Sequence, residues 1–174
     1  MSYYRKTTLT PVGELELIAS DKGLSAILWE HERAIRLKRT PIVNRPEHPV
    51  LLQTARQLEE YFAGERRIFD LPLDLIGSDF QKKVWAALLT IPFGETRSYA
   101  VIAAQIGRPA AVRAVGSANH QNPLSVVVPC HRVIGRNGQL TGYAGGLEVK
   151  ALLLNLESIT SSQKKLSNGQ NGDR

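Results

Sequence analysis

The 174-residue chain has one cysteine, Cys130, and it stands in the run Pro129-Cys-His-Arg132. Only a thiolate attacks carbon, and a free thiol is a few per cent ionised at neutral pH. A neighbouring imidazole or guanidinium raises that fraction, so this run has the makings of a nucleophilic centre. Adjacent side chains on an extended segment point apart, so His131 is expected to reach Cys130 through a bridging water. Glu157 could hold His131 from its other ring nitrogen, which would complete a set of nucleophile, base and orienting acid. The spacing alone leaves open a buried inert cysteine and a solvated helix glutamate. One cysteine forms neither an internal disulfide nor a thiolate-rich metal site, and His31, His48, His120 and His131 lack metal-ligand spacing. No metal and no cofactor are expected.

A second chemistry lies in the charge pattern. The net charge is +6, and between Glu95 and Glu148 no acidic residue occurs, while Arg97, Arg108, Arg113, Arg132 and Arg136 do. Five arginines without an acid suit a polyanion, most simply a nucleic acid backbone; a solvated basic face is the alternative. Within that stretch Ala110, Ala111, Ala114, Gly116, Ser117 and Ala118 surround Arg113. A helix so stripped of bulk either packs closely in the core or enters a minor groove only ~6 Å wide, where Arg113 could press into the base stack.

The elements that must carry these residues follow from periodicity and punctuation. Glu14 to Ser20 alternates charged and apolar residues, the pattern of a half-buried strand, between turns at Pro11-Val-Gly13 and Asp21-Lys-Gly23. Leu24 to Trp29 is a third strand of that meander, and residues 30–48 form a loop or short irregular helix. Leu52, Ala55, Leu58 and Phe62 define the apolar face of a helix that starts near Pro49 and ends at Gly64. Leu71 to Ile76 is a last strand or a linker. The domain boundary is placed near Gly77, giving a support domain over 1–76 and a second domain over 77–160. Ser78 caps the next helix, Ser98 caps another that runs to Ile106, and Pro109 opens a third ending near Ala118. The last two have the outline of a helix-turn-helix. Ser125 to Cys130 reads as an extended apolar run, Leu147 to Glu157 as a closing helix, and 161–174 as a disordered tail carrying Lys164 and Lys165.

Hydrophobic residues make up 43% of the chain and charged residues 22%, an ordinary globular balance. No apolar run reaches the ~20 residues of a membrane span, and no signal segment follows Met1. A cytoplasmic, nucleoid-associated protein without membrane contact is expected.

Pro129-Cys-His-Arg-Val133, followed by Gly138, Tyr143 and Gly145-Gly146, resembles the active-site signature of the O6-alkylguanine-DNA alkyltransferases. Arg113-Ala-Val-Gly116, Asn122-Pro123, Phe93-Gly94 and Ser98-Tyr99 resemble the same family, so the match runs in order over residues 78–157. The resemblance implies an α/β fold: an N-terminal ribonuclease-H-like α/β domain, then a mainly helical C-terminal domain with a helix-turn-helix. It implies that Cys130 accepts the alkyl group, that His131 acts on it through water, and that Glu157 orients His131. Asn122 would tie the helix-turn-helix to the active-site segment, and Tyr99 would donate a proton to the leaving guanine. Arg113 would fill the hole left by a flipped base, with Ala114 and Gly116 against the groove. Gln81, Arg108 and Arg136 would touch the DNA backbone. Val133, Tyr143, Ala144, Ser125 and Thr141 would line the base pocket. Val112 stands where many relatives carry alanine. The metal-binding residues of some relatives' N-terminal domains are missing, and Cys130 argues against the family's non-repairing branch.

The partner implied is double-stranded DNA carrying O6-alkylguanine, and O4-alkylthymine is a further candidate substrate. The protein would act as a monomer, with cooperative binding along DNA left open. A thioether is a very poor leaving group, so each molecule would react once. Two rival readings remain open to the sequence. A cysteine hydrolase would turn over without DNA, and a non-repairing sensor of alkylated DNA would have no use for Cys130.

Overall fold

A computed structural model describes residues 2–32 and 41–172. The charged segment 33–40, part of the loop expected over 30–48, lies outside the described residues. Three strands, β1 (Tyr3–Thr10), β2 (Gly13–Ser20) and β3 (Gly23–Leu28), form an antiparallel meander. A short β4 (Ile42–Asn44), not foreseen from the sequence, pairs parallel to the start of β1, so the sheet order is β3-β2-β1-β4.

The alternation in β2 misleads about its exposure. Leu15 to Ser20 is buried on both faces, Glu16 included. A central strand covered on both sides need not alternate in burial even when it alternates in type. Glu16 tolerates its place because Arg5, across the β1–β2 pairing, lies 3.6 Å away.

Helix α1 (Pro49–Phe62) packs on this sheet. Its buried face is Leu51, Thr54, Gln57, Leu58 and Tyr61, whereas Leu52 is 48% exposed. The face is rotated from the one expected because two polar residues are buried with partners. Thr54 Oγ1 donates to the Val50 carbonyl at 2.7 Å, and the Gln57 amide exchanges two 2.9 Å hydrogen bonds with the Asp70 backbone. Satisfied polar groups can be buried at little cost, so hydropathy spacing alone picks the wrong stripe. The rotation turns Tyr61 inward.

Residues 71–76 form a linker with one bridge to the sheet, Leu24 to Leu73. Beyond it lies α2 (Asp79–Leu88), opened by a capping box in which Ser78 and Gln81 satisfy each other's backbone N–H groups. Such a cap is worth about 1 kcal/mol. Next come β5 (Arg97–Ser98), α3 (Tyr99–Gln105), capped by Ser98, and α4 (Val112–His120). α4 starts later than Pro109, because Arg108 to Ala111 closes a separate turn through Ala111 N–H to Arg108 O at 2.9 Å. Ala110 and Ala111 therefore precede the helix. Trp85 donates its indole N–H to the Ala118 carbonyl at 2.9 Å and locks α2 against α4.

A 3-10 turn at Cys130–Arg132 leads into β6 (Val133–Ile134), which pairs parallel with β5. The chain ends its described part in α5 (Leu147–Gly172). That helix runs through most of the segment expected to be a disordered tail. Extending an anchored helix costs far less than nucleating one, and no proline interrupts it.

The sheet and the helical part share one hydrophobic core, from Leu17 and Leu58 to Trp85, Ile102 and Val133. The sheet bonds to the linker through Leu24 N–H to Pro72 O and to the helical part through Ile27 N–H to Pro123 O, both 2.8 Å. The second reaches the segment that precedes Cys130.

Candidate active site

The run before Cys130 is coiled rather than extended. Val128 N–H bonds to Leu124 O at 2.9 Å, Cys130 N–H bonds to Val128 O at 2.8 Å, and Val126 has a φ of 76°. A β-branched residue in that region is strained, so neighbouring contacts must hold it there. Buried Asn122 supplies two: its amide N–H₂ donates to Val128 O at 2.8 Å, and its carbonyl accepts from Leu124 N–H at 3.0 Å. The end of α4 is thereby stapled to the cysteine turn.

Cys130 is 5% exposed. Burial pushes its thiol up to about 11, against the opposing pull of the Asn122 amide and the Lys150 ammonium. The expectation that neighbouring groups raise the thiolate fraction is thus corrected: near neutral pH about one molecule in 10⁴ would carry a thiolate. The sulfur needs a base at the moment of attack.

His131 is fully buried, and its Nε2 lies 2.7 Å from Glu157 Oε2. Burial lowers its pKa despite the adjacent carboxylate, while Arg132 and Lys150 push the same way. The imidazole is therefore neutral. Since the carboxylate can only accept, Nε2 carries the proton and Nδ1 keeps its lone pair. Nδ1 is buried and has no hydrogen-bond partner within the protein.

Glu157 is 1% exposed. Burial alone would raise its pKa, but the hydrogen bonds from His131 and Arg132, with the Arg132 charge, outweigh that and hold the carboxyl down at about 2. Arg132 gives Nε to Oε1 at 2.8 Å and Nη2 to Oε2 at 3.1 Å, and its Nη1 donates to Ile91 O at 2.7 Å. Gly94 N–H adds a 3.3 Å bond to Oε1. Gly94 sits at a φ of +83°, and a Cβ there would fall 2.3 Å from Ser161 Oγ, so the turn requires glycine.

The acid-free arginines therefore divide. Arg132, grouped in the sequence with residues suited to a polyanion, is an internal counter-ion, and Arg97 pairs with Glu95 at 3.1 Å. Arg108, Arg113 and Arg136 are exposed. Arg113 and exposed Ala114 sit on α4 with half-buried Gly116, whereas Val115, Ala118 and Asn119 form its buried side. Both ends of the Gln81 amide are engaged inside the protein, by the cap and by Gln121 at 2.5 Å.

Tyr99 Oη and Thr141 Oγ1 share a hydrogen bond of 2.5 Å. Val133 is fully buried, Tyr143 is 8% exposed and Ala144 is half-buried. The Tyr143 hydroxyl is buried without a hydrogen-bond partner.

Three residues here escaped the sequence reading. Trp29, just past the end of β3, donates its indole N–H to Ser125 Oγ at 3.1 Å and meets the Tyr143 ring edge-on at 5.9 Å. It also explains Gly145, where a Cβ would lie 2.7 Å from the Trp29 ring. Lys150 is fully buried and donates to the Thr141 carbonyl at 3.0 Å. A cation in the first turn of α5 opposes the helix dipole, and that was a readable signal. The third is Tyr61, whose hydroxyl donates to Glu157 Oε2 at 2.6 Å. Among the described residues no cluster of three or more His, Cys, Asp or Glu could hold a metal ion, and no helix is long and apolar enough to cross a membrane.

This arrangement pairs a nucleophile and an anchored neutral base with an exposed, small-residue helix, and the comparisons with known proteins agree. The ribonuclease-like domain of 6-O-methylguanine DNA methyltransferase matches residues 3–75, and the DNA-binding domain of the same protein matches 79–159. The constitutive methylated-DNA–protein-cysteine methyltransferase of Bacillus subtilis (strain 168) is 51% identical over 168 residues, covering 94% of this chain and all of that one. The methylated-DNA–protein-cysteine methyltransferase of Methanosarcina barkeri is 48% identical, over 85% of this chain and 92% of its own. The crystal structure of Mycobacterium tuberculosis OGT in complex with DNA superposes with a TM-score of 0.81 at 47% identity, covering 92% of this chain and 94% of that chain. The chain belongs to the 6-O-methylguanine DNA methyltransferase family.

Proposed function

We propose that this protein repairs O6-alkylguanine in double-stranded DNA by moving the alkyl group onto Cys130, once per molecule. The observation that carries this reading is the buried thiol beside a neutral His131, which Glu157 holds at Nε2 while Nδ1 stays unpartnered. Nδ1, through a water, takes the thiol proton. Sγ attacks the alkyl carbon, the carbon–O6 bond breaks, and its electron pair leaves on guanine. Tyr99 donates a proton to that guanine; the proton on His131 passes to solvent and Tyr99 is reprotonated. Correct placement of sulfur and carbon can supply ~7–11 kcal/mol, more than the cost of ionising a thiol raised to about 11 at neutral pH, about 5 kcal/mol.

O6 faces the major groove, so a protein in the minor groove must rotate the base outward at a cost of a few kcal/mol. The small exposed residues of α4 suit entry into the minor groove, and Arg113 fills the space the base leaves. Arg108 and Arg136 are free to contact phosphates. Val133, Tyr143 and Ala144 receive the base, with Ser125 and Thr141 at the pocket edge. The protein binds as a monomer and acts on DNA in the cytoplasm. A hydrolase or a passive sensor leaves either the exposed arginines or Cys130 without a role.

The test is mass spectrometry of the protein after mixing with a methylated duplex. One CH₂ should be gained, on Cys130, at a limit of one per protein. Cys130→Ala should abolish transfer and retain DNA binding. Methyl transfer well beyond one per molecule, or an unaltered thiol, would overturn the proposal.

A further inference from the structure

We infer that Tyr61 is a positioning residue for alkyl transfer: its hydroxyl, delivered by the N-terminal sheet domain, shares the Glu157 carboxylate with His131 and so sets how readily His131 takes a proton. The inference rests on the function proposed above and assigns part of that chemistry to the other domain.

Glu157 accepts from five donors. Oε2 takes Tyr61 Oη at 2.6 Å, His131 Nε2 at 2.7 Å and Arg132 Nη2 at 3.1 Å; Oε1 takes Arg132 Nε at 2.8 Å and Gly94 N–H at 3.3 Å. A carboxylate offers about four lone-pair sites, so the donors compete. The shortest of the five bonds is that of Tyr61, on the oxygen His131 uses. Burial and the adjacent carboxylate both raise the Tyr61 pKa, so it remains an O–H donor.

Each donor on Oε2 removes negative charge from His131's view. Charge so removed stabilises an imidazolium less. The groups bearing on His131 are Glu157 and Lys150 from α5 and Arg132 from its own turn, with Tyr61 from α1 acting through Glu157. Tyr61 is the donor among them whose hydroxyl can be removed while its ring is kept. That ring packs against Phe62, Phe69 and Phe93, with centroids at 5.2, 5.4 and 6.1 Å. A packing role alone would need no hydroxyl.

The experiment compares the parent with Tyr61→Phe in single-turnover methyl transfer across the histidine pH range. His131 is titrated in parallel through its imidazole ¹⁵N resonances. Loss of the hydroxyl should raise the His131 pKa and move the acid limb of the rate profile upward by up to about one pH unit. The rate loss should then be largest at low pH. Placing 3-fluorotyrosine at position 61 keeps the size and strengthens the donor, so the limb should move downward. This second variant also serves if Tyr61→Phe folds poorly. An acid limb and a His131 titration unmoved in both variants, with any rate loss uniform in pH, would overturn the inference. Parent protein and methylated duplex form the control. No CH₂ gain in the parent sinks the proposed function, whereas a normal gain with an unmoved limb sinks the Tyr61 inference alone.

Discussion

On α4, Arg113 stands exposed beside Ala114 and next to half-buried Gly116; at the cysteine turn, Arg132 is 7% exposed and gives hydrogen bonds to Glu157 and Ile91. Both come from the same acid-free stretch. An exposed guanidinium is hydrated and screened, costs the fold almost nothing and remains available to an incoming anion. A buried one must be neutralised where it sits, and it becomes part of the fold. The helical half of the molecule thus places the guanidinium proposed for DNA recognition where stability does not depend on it, and the one that neutralises Glu157 where stability does.

That contrast can be broken by experiment, and the largest effect should come from the buried side. Arg132→Ala leaves Glu157 short of its guanidinium partner and should cost about 3–5 kcal/mol, read as a lower midpoint in urea unfolding. A loss as small as that of a surface arginine would break the comparison.

Acid should probe the same centre without mutation. Glu157 is held at about 2, below the ordinary 4.5 of a free glutamate. A depressed carboxyl contributes stability that is fully present above its unfolded value and lost as pH falls through its folded one. The window is therefore pH 4.5 down to 2, and the contribution is about 3 kcal/mol. His131 acts in the same direction: buried neutral, it withdraws stability as pH falls below its ordinary 6.5. Urea unfolding over that range should show the decline, and Glu157→Gln should flatten its lower part.

The exposed side should respond in the opposite manner. Arg113→Ala should change stability by less than about 0.5 kcal/mol. It should slow repair of duplex DNA about tenfold or more, with a smaller effect on reaction with free alkylated guanine base. Equal losses on both substrates would contradict a base-flipping role. The smallest expected effect is on salt dependence: Arg108→Ala should reduce the log–log slope of DNA binding against salt by about one.

How much of this was legible beforehand depended on how local the cause was. The Ser78 and Ser98 caps are local, and both stand where the spacing placed them. The strand meander and the short helices around Gly107 are similarly local. Ser125 to Cys130, whose composition predicts an extended run, is coiled because Asn122 imposes the coil through hydrogen bonds made after the chain has turned back on itself. The α1 face was misread because Gln57 is buried only by virtue of Asp70, a partner outside the helix.

The chain itself determined which chemistry was available: one thiol, an adjoining imidazole, and a small-residue helix with an arginine at its start. Those follow from residue identity and short-range spacing. Only the tertiary structure decided the state of each group. Cys130 is protonated and His131 neutral because burial removes water from them, and Glu157 is ionised because Arg132 and His131 converge on it. Burial and convergence belong to segments distant in sequence, Tyr61 and Trp29 among them, and no local pattern encodes the distance between them.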